Sequence, residues 1–379
     1  MRLLHTSDWH LGRSFHREDL LGAQADFVDW LVDVVAAERV DAVLVSGDVY
    51  DRALPPVDAV ALCDQALSRL AAAGAQVVLI SGNHDSARRL GFGAAVMRLG
   101  GVHLRTDPRS VGDPIPLGDE HGPVSVFPIP YLEPDAVRAE LGCDGRSHAT
   151  VVTAAMDRVR AALAARPSRS VVLAHAFVAG GEPSESEREV SVGGSGLVPT
   201  PAFAGVTYAA LGHLHGPQEM APGVRYSGSP LAMSFSEAQH RKSVALVELG
   251  ASGPARVELL PCPVPRPLAR IRGRFDDLLS GSAWRPYEDH YLQVTLTDPQ
   301  RPREPMERLR ARFPHLLVLK FEPEGGVPVG GSYATRLAGR SDLDVALDFV
   351  AHVRDDADPG ERAVLAAALD AVRVAEAAR

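Results

Sequence analysis

The apolar run Gln76-Val77-Val78-Leu79-Ile80 ends in Ser81-Gly82-Asn83-His84-Asp85, and no other stretch limits the fold of this chain as strongly. A short, continuous β-branched run reads as a buried strand. The glycine-opened turn beyond it puts an amide, an imidazole and a carboxylate where open α/β sheets bind ligands, outside the carboxyl ends of the strands. Taken alone, the stretch also fits a plain strand-to-helix turn, with Asp85 or Ser86 as N-cap of a helix through Arg88, Arg89 and Leu90. Recurrence of the pattern elsewhere in the chain favours chemistry.

Arg2 to Thr6 reads as a strand that opens into Ser7-Asp8-Trp9-His10-Leu11-Gly12. In an extended strand end, residues i and i+2 point to one side, so Asp8 and His10 are expected to converge with the spacing of metal ligands. A helical period over Ala23 to Glu38 leads into a strand at Asp41 to Ser46, which runs into Gly47-Asp48-Val49-Tyr50-Asp51. A helix over Val57 to Ala73, closed by Gly74, precedes the Gln76 strand. Strand-like pieces follow at Val102 to Arg105 and Val124 to Pro128, then a helix over Val151 to Ala165. Ser170 to His175 is a strand ending in a histidine, and Val206 to Leu211 ends in Gly212-His213-Leu214-His215. Strands at Val224 to Ser227 and Ser243 to Leu249 complete an alternating α/β pattern. The polar, glycine-rich run Ala179 to Gly196, with Glu182, Glu185, Glu187, Arg188 and Glu189, reads equally as flexible surface or as a lid.

Asp8, His10, Asp48, Asn83, His175, His213 and His215 are all nitrogen or oxygen ligand types, and all follow strands of what reads as one sheet. Gathered together and buried they would need partners, which metal ions supply. The set holds no cysteine, against a closed structural zinc site, and its mixture of carboxylate, imidazole and amide suits two octahedral ions such as Mn²⁺.

Composition sets outer limits. A chain of 379 residues with 46% hydrophobic content implies two or three domains. Neither a signal-peptide pattern nor an apolar run of ~18 residues is present, so a cytoplasmic protein without a membrane span is expected. Cys63, Cys143 and Cys262 are scattered and odd in number, giving neither a disulfide framework nor a metal knuckle. A net charge of −9 excludes a globally basic nucleic-acid surface. A local site remains open, because Arg13, Arg17, Arg52, Arg88 and Arg89 follow the motifs closely and bound cations add positive charge.

Together, D-x-H at Asp8 and His10, G-D-x-x-D at Gly47 to Asp51, G-N-H-D at Gly82 to Asp85, His175, and G-H-x-H at Gly212 to His215 resemble the calcineurin-like metallophosphoesterases. TSDWHLGR from Thr6, SGNHDSARRL from Ser81, LGHLHGPQ from Leu211 and YSGSPLAMSF from Tyr226 narrow the likeness to the branch of nuclease subunits that work with an SbcC-type ATPase. The resemblance implies an α/β sandwich of mixed sheets flanked by helices over residues 1–260, a small α+β capping domain over 268–335 and C-terminal helices for partner binding over 341–379. It implies two Mn²⁺, with Asp8, His10 and His215 on one, Asn83, His175 and His213 on the other, and Asp48 bridging. His84 is then the catalytic group outside the coordination shell, Asp85 an orienter of an imidazole or a helix cap, and Asp51 a support behind the ligands. Archaeal counterparts carry a histidine where this chain has Asp51, so that histidine's role does not transfer. Arg88 and Arg89 either touch DNA or face solvent. The implied partners are DNA and the SbcC-type ATPase, in a heterotetramer that contains a dimer of this chain and acts in DNA replication, recombination and repair.

Residue pattern alone keeps a second class open, a phosphoprotein or small-nucleotide phosphoesterase with the same metals. Against it, phosphoprotein phosphatases resemble GDxxDRG and GNHE, whereas Ala53 follows Arg52 and Asp85 follows His84 here. Pro261, Pro263, Pro265 and Pro267 mark a stiff linker, and the stripe Leu343, Ala346, Leu347 and Val350, then Leu365, Leu369 and Val372, predicts two tail helices.

Overall fold

Side-chain alternation along the central strands fixes the layers of the first of two units, Met1–Leu268; the second is Ala269–Arg379. The computed structural model describes residues 1–187, 196–324, 340–353 and 356–377. On the strands Arg2–Thr6, Ala42–Ser46 and Gln76–Ile80, the side chains of Leu3, Leu44, Val78 and Ile80 enter one buried cluster. Their neighbours Leu4, Val43, Val45, Val77 and Leu79 enter another. The first cluster also takes Val126, Val171, Leu173, Tyr208 and Ala210, so it is the interior between two sheets. The second cluster holds Phe27 and Leu31 of the helix Leu21–Ala37 and Leu62 and Leu70 of the helix Val57–Ala72. Helices Pro134–Leu141 and His148–Ala165 cover the other sheet through Val137, Val151 and Met156. The order helix, sheet, sheet, helix buries both faces of each central strand, which is why those strands read as unbroken apolar runs.

The seven ligand-type residues therefore do not follow one sheet, as the residue pattern suggested, but two, in the sandwich of mixed sheets that the family resemblance implied. One sheet runs Arg256–Pro261, Ser243–Glu248, Arg2–Thr6, Ala42–Ser46, Gln76–Ile80, Val102–Arg105. The other runs Gln218–Ala221, Val224–Tyr226, Tyr208–Gly212, Arg169–His175, Gly122–Ile129, Ile115–Asp119. Apolar runs buried on both faces carry no period, and so no mark of which sheet a strand joins. The outer strands Ile115–Asp119 and Arg256–Pro261 escaped the sequence reading because exposed, polar residues interrupt them. The latter ends on Pro261, the first proline of the expected linker, and pairs antiparallel with Ser243–Glu248.

Register brings the strand ends together. Thr6 lies beside Val45 and Ser46 beside Ile80 in one sheet, and Gly212 lies beside His175 in the other. Polar bonds then tie the two sheets across the interior. Ser46 Oγ donates to the Ala210 carbonyl at 2.9 Å and His175 Nδ1 to the Ser46 carbonyl at 2.9 Å. His5 Nε2 donates to the Leu211 carbonyl at 3.1 Å, which leaves its Nδ1 to accept from the Tyr208 hydroxyl at 2.9 Å.

In the second unit, the strands Leu268–Gly273, Tyr291–Leu296 and Leu316–Phe321 form a sheet. Phe275, Leu278, Leu292, Val294, Leu309 and Phe313 make its core with the short helices Phe275–Ser280 and Pro305–Arg310. Two further helices, Asp342–Val353 and Pro359–Ala377, pack on each other. Both begin with a reciprocal cap. Asp344 N donates to Ser341 Oγ at 3.2 Å while Ser341 N donates to Asp344 Oδ2 at 3.3 Å, and the backbone N–H groups of Asp358 and Glu361 make the same exchange with each other's carboxylates. The expectations placed on Arg188 and Glu189, on 325–335 and on the last two positions of the tail lie outside the described residues.

Candidate metal centre

His175 is the last residue of its strand, but tight turns carry the other ligand-type residues. Asp8, His10, Asp48 and His213 have φ of 55°, 46°, 48° and 113°, in the region that favours glycine. Such residues cost about 1–3 kcal/mol each and persist only where their surroundings over-determine them. Asp8 and His10 thus converge through a left-handed turn and not through the i, i+2 alternation of a strand. That turn is laced to the next one, with Asp8 N donating to the Gly47 carbonyl and His10 N to the Asp48 carbonyl, each at 3.0 Å. Two glycines let the turns touch. A Cβ on Gly47 would run into the His175 ring, and one on Gly82 into the Asp48 carboxylate.

Asp48 stands at the middle. Its Oδ2 is 3.6 Å from His10 Nε2 and 3.6 Å from His175 Nε2. On the first side His10 Nε2 faces His215 Nε2 at 3.2 Å, and the ligand atoms of Asp8, His10 and His215 lie within 4.8 Å of one another. On the second, Asn83 Oδ1 sits 2.9 Å from His175 Nε2 and 3.2 Å from His213 Nδ1. The Asp8 carboxylate also accepts the His213 backbone N–H at 3.1 Å, joining a turn of one sheet to a turn of the other. Six of the seven side chains are buried and Asn83 is half-buried.

His84 is buried beside the ligand groups. Its ring Nδ1 donates to the Asp51 carbonyl at 2.7 Å, its backbone N–H to Asp48 Oδ1 at 2.9 Å, and its Nε2 is 3.9 Å from Asp48 Oδ2. Asp51 Oδ1 accepts from Arg13 Nη1 at 3.1 Å and lies 3.6 Å from His10 Nδ1. Asp85 was expected to steady an imidazole or cap a helix; its carboxylate instead accepts backbone N–H groups of Val49, Tyr50 and Gly82 at 2.9–3.1 Å, clamping two turns together. The helix after Ser86 is only Ala87–Leu90, and Ser86 makes no side-chain cap bond to it. Arg88 and Arg89 are exposed, and Arg89 Nη1 bonds the Ala53 carbonyl at 3.0 Å.

Electrostatics set these groups up for a cation. Burial, with Asp48 adjacent, pushes the Asp8 carboxyl well above its ordinary range. Burial drives His10 and His213 well below the ordinary imidazole value and His175 down to about 4, so the rings keep the neutral form whose lone pair binds metal. Asp51 is held at about 2, because His10 and Arg13 outweigh the effect of burial. The buried His10 Nδ1 has no hydrogen-bond partner. Four imidazoles and two carboxylates crowded together, all six buried, are what a pair of divalent cations would relieve, and the donor set fits them.

Comparison with known proteins agrees. The calcineurin-like phosphoesterase model matches residues 1–217. The chain belongs to that family. A second model, the type 5 capsule protein repressor C-terminal domain of SbcD proteins, matches residues 264–354. The two matches in this order make the chain an SbcD-type metallophosphoesterase, a metal-dependent hydrolase of the mixed-sheet sandwich fold. Solved structures with similarity to it include TT1561 of Thermus thermophilus, at 15% identity over 69% of this chain and 98% of that one, TM-score 0.42. Calcineurin-like phosphoesterase YfkN from Bacillus subtilis matches at 14% identity over 69% and 90%, TM-score 0.40. A dimetal phosphatase from Danio rerio matches at 14% over 68% and 98%, TM-score 0.37.

Sequence reasoning missed several residues that support the centre. Gln24 Nε2 donates to the carbonyls of Trp9 and His10 at 3.2 and 2.8 Å. Ser186, Glu187, Glu237 and Lys242 surround His215. Only the polar run around Glu187 and the isolated Lys242 could have flagged them. No helix among the described residues is long and apolar enough to cross a membrane.

Proposed function

We propose that this chain is a Mn²⁺-dependent DNA nuclease, a double-strand exonuclease and a hairpin and single-strand endonuclease, which acts in the cytoplasm with an SbcC-type ATPase in DNA end processing. The observation that carries the chemistry is Asp48 Oδ2, equally spaced at 3.6 Å from an imidazole of each ligand group. DNA is favoured over other phosphoesters by the SbcD C-terminal match at 264–354. Asp8, His10 and His215 would hold one ion, Asn83, His175 and His213 the other, and Asp48 both. Bound there, the ions acidify a water and neutralise charge on the attacked phosphodiester.

The chain's own groups do the rest. His84 donates its Nδ1 hydrogen to the Asp51 carbonyl, so Nε2 is the ring nitrogen left toward Asp48 and the centre; as the imidazolium, with a hydrogen on each nitrogen, the ring passes its Nε2 proton to the leaving oxygen and keeps the Nδ1 hydrogen on Asp51. Arg13 is held by an Asp51 oxygen that also faces the His10 ring at 3.6 Å. A dimer of this chain is supported by exposed apolar residues, Leu54, Val57 and Val60 on one segment and Phe92, Val96 and Leu99 on the next, joined through the Arg89–Ala53 bond. Exposed apolar side chains grouped this way suit a contact between two copies of the chain. The tail helices 342–353 and 359–377, with Phe349, Val364 and Val372 exposed, would dock the ATPase. End-labelled linear and hairpin DNA, incubated with the protein and Mn²⁺ with and without an SbcC-type partner, tests this reading. Hydrolysis of small phosphoesters with both DNA substrates intact would overturn the nuclease assignment.

A further inference from the structure

His215 is gripped on three sides by residues outside the ligand motifs. Ser186 Oγ lies 2.7 Å from its Nδ1, Glu187 Oε1 accepts its backbone N–H at 2.8 Å, and Lys242 Nζ donates to its carbonyl at 2.9 Å. Behind the serine, Glu237 accepts the Ser186 hydroxyl at 2.6 Å on Oε1 and the Met233 N–H at 3.1 Å on the same oxygen, while its Oε2 is paired with Lys242. Glu237 and Lys242 are 1% and 4% exposed. Lys242 uses all three of its hydrogens, on Glu237, the Ser229 hydroxyl and the His215 carbonyl. A buried ion pair is weak evidence for stability, since apolar residues of equal volume commonly do as well. Its geometry here has a different consequence.

A carboxylate facing an ammonium can only accept hydrogen bonds, so the Ser186 proton points to Glu237. The serine oxygen is left to accept, and the His215 Nδ1 must supply the hydrogen. His215 Nε2 then carries a free lone pair, and Nε2 is the atom that faces His10 at 3.2 Å in the centre. The segment that brings Ser186 is fastened independently. Glu182 N donates to Gln218 Oε1 and Glu185 N to Ser236 Oγ, each at 2.9 Å, and Ser184 N and Oγ bond Glu187 Oε2 at 2.7 and 2.6 Å. Arg13, already on Asp51, reaches the Ser186 carbonyl at 3.4 Å.

We propose that Ser186, Glu237 and Lys242 form a positioning relay that locks His215 in its Nδ1-protonated tautomer and aims Nε2 at the metal centre, with residues 182–187 as a fixed clasp over that ligand. It rests on the metal-centre reading above. Groups that hold a ligating histidine from behind typically change metal affinity by about 10–100-fold when removed.

Nitrogen-15 NMR of the metal-free full chain reads the tautomer directly, and Mn²⁺ titration calorimetry reads the two sites. Wild type is expected to show a protonated Nδ1 at His215. Ser186→Ala should give a tautomer mixture and weaken one Mn²⁺ site about 10–100-fold while leaving the other unchanged. Ser186→Thr, which keeps the hydroxyl, should restore both readouts. An Nε2-protonated His215 in wild type overturns the relay, as does a Ser186→Ala protein with only a lower melting temperature and an unmoved tautomer. Failure of wild type to bind Mn²⁺ would sink the metal reading instead, and the tautomer would still decide the relay.

Discussion

Replacing His84 with alanine separates a catalytic imidazole from a metal ligand. Both roles are within reach of its position, because the ligand atoms of His10, Asp48 and His84 fall within 4.8 Å of one another. Its hydrogen bonds favour the catalytic role. The Nδ1 hydrogen is committed to the Asp51 carbonyl at 2.7 Å, and Nε2 stands 3.9 Å from Asp48 Oδ2, farther than the 3.6 Å of His10 and His175. A positioned acid contributes about 10²–10⁴-fold, which at about 1.36 kcal/mol per decade is roughly 3–5 kcal/mol of barrier. The fold should lose less, about 1 kcal/mol for the ring-to-carbonyl bond plus a modest packing term. His84→Ala is therefore expected to cut kcat on a small phosphodiester by about 10²–10⁴-fold, with two Mn²⁺ retained per chain by elemental analysis. Asp48→Ala, which removes the carboxylate between the two imidazole groups, should lose metal and activity together. If His84→Ala comes out stripped of one ion, His84 is a ligand and the assignment of roles is wrong.

Three further outcomes follow from the same geometry. His5 is buried with a pKa lowered to about 3 by burial, against an ordinary 6.5, so the unfolded chain takes up the proton first; this stability is complete above pH 6.5 and falls away as pH drops toward 3, at about 1.4 kcal/mol per unit. Urea unfolding between pH 7 and 5 should show a shallower loss in His5→Leu than in wild type, and equal slopes would refute this account. Phe92, 85% exposed, should be central to the dimer, and Phe92→Asp should halve the mass seen by light scattering; a wild type that is already monomeric removes the proposed interface. Deleting residues 341–379 should abolish association with the SbcC-type ATPase and spare Mn²⁺-dependent cleavage of small phosphodiesters, whereas loss of both would mark the tail as part of the folding unit.

The chemistry of the centre was legible because each ligand type follows an apolar run that ends in glycine or a tight polar turn, as at Gly47-Asp48 and Gly82-Asn83. Its architecture was less so. A run such as Val43-Leu44-Val45 is apolar on both faces whether its neighbour in space is a helix or a second sheet, so two sheets looked like one. The left-handed conformations at Asp8, His10 and Asp48 fall on residues other than glycine and so were not announced at those positions, since their backbone strain is borne by cross-turn bonds between residues far apart in the chain.

The support under His215 was the least visible part, because Ser186, Glu237 and Lys242 share no period and meet only when the segments 182–187 and 233–242 close on one ligand. One compositional mark was present. The chain takes its positive charge almost entirely from arginine, with Lys242 and Lys320 the two exceptions. At 242 that choice has a physical reason. An ammonium has three hydrogens and finds three buried acceptors, a carboxylate, a hydroxyl and a carbonyl, whereas a guanidinium would bring five hydrogens and a rigid plane into the same space. The number of buried acceptors matches the lysine, and that match ties the start of the strand Ser243–Glu248 to the histidine whose lone pair the centre needs.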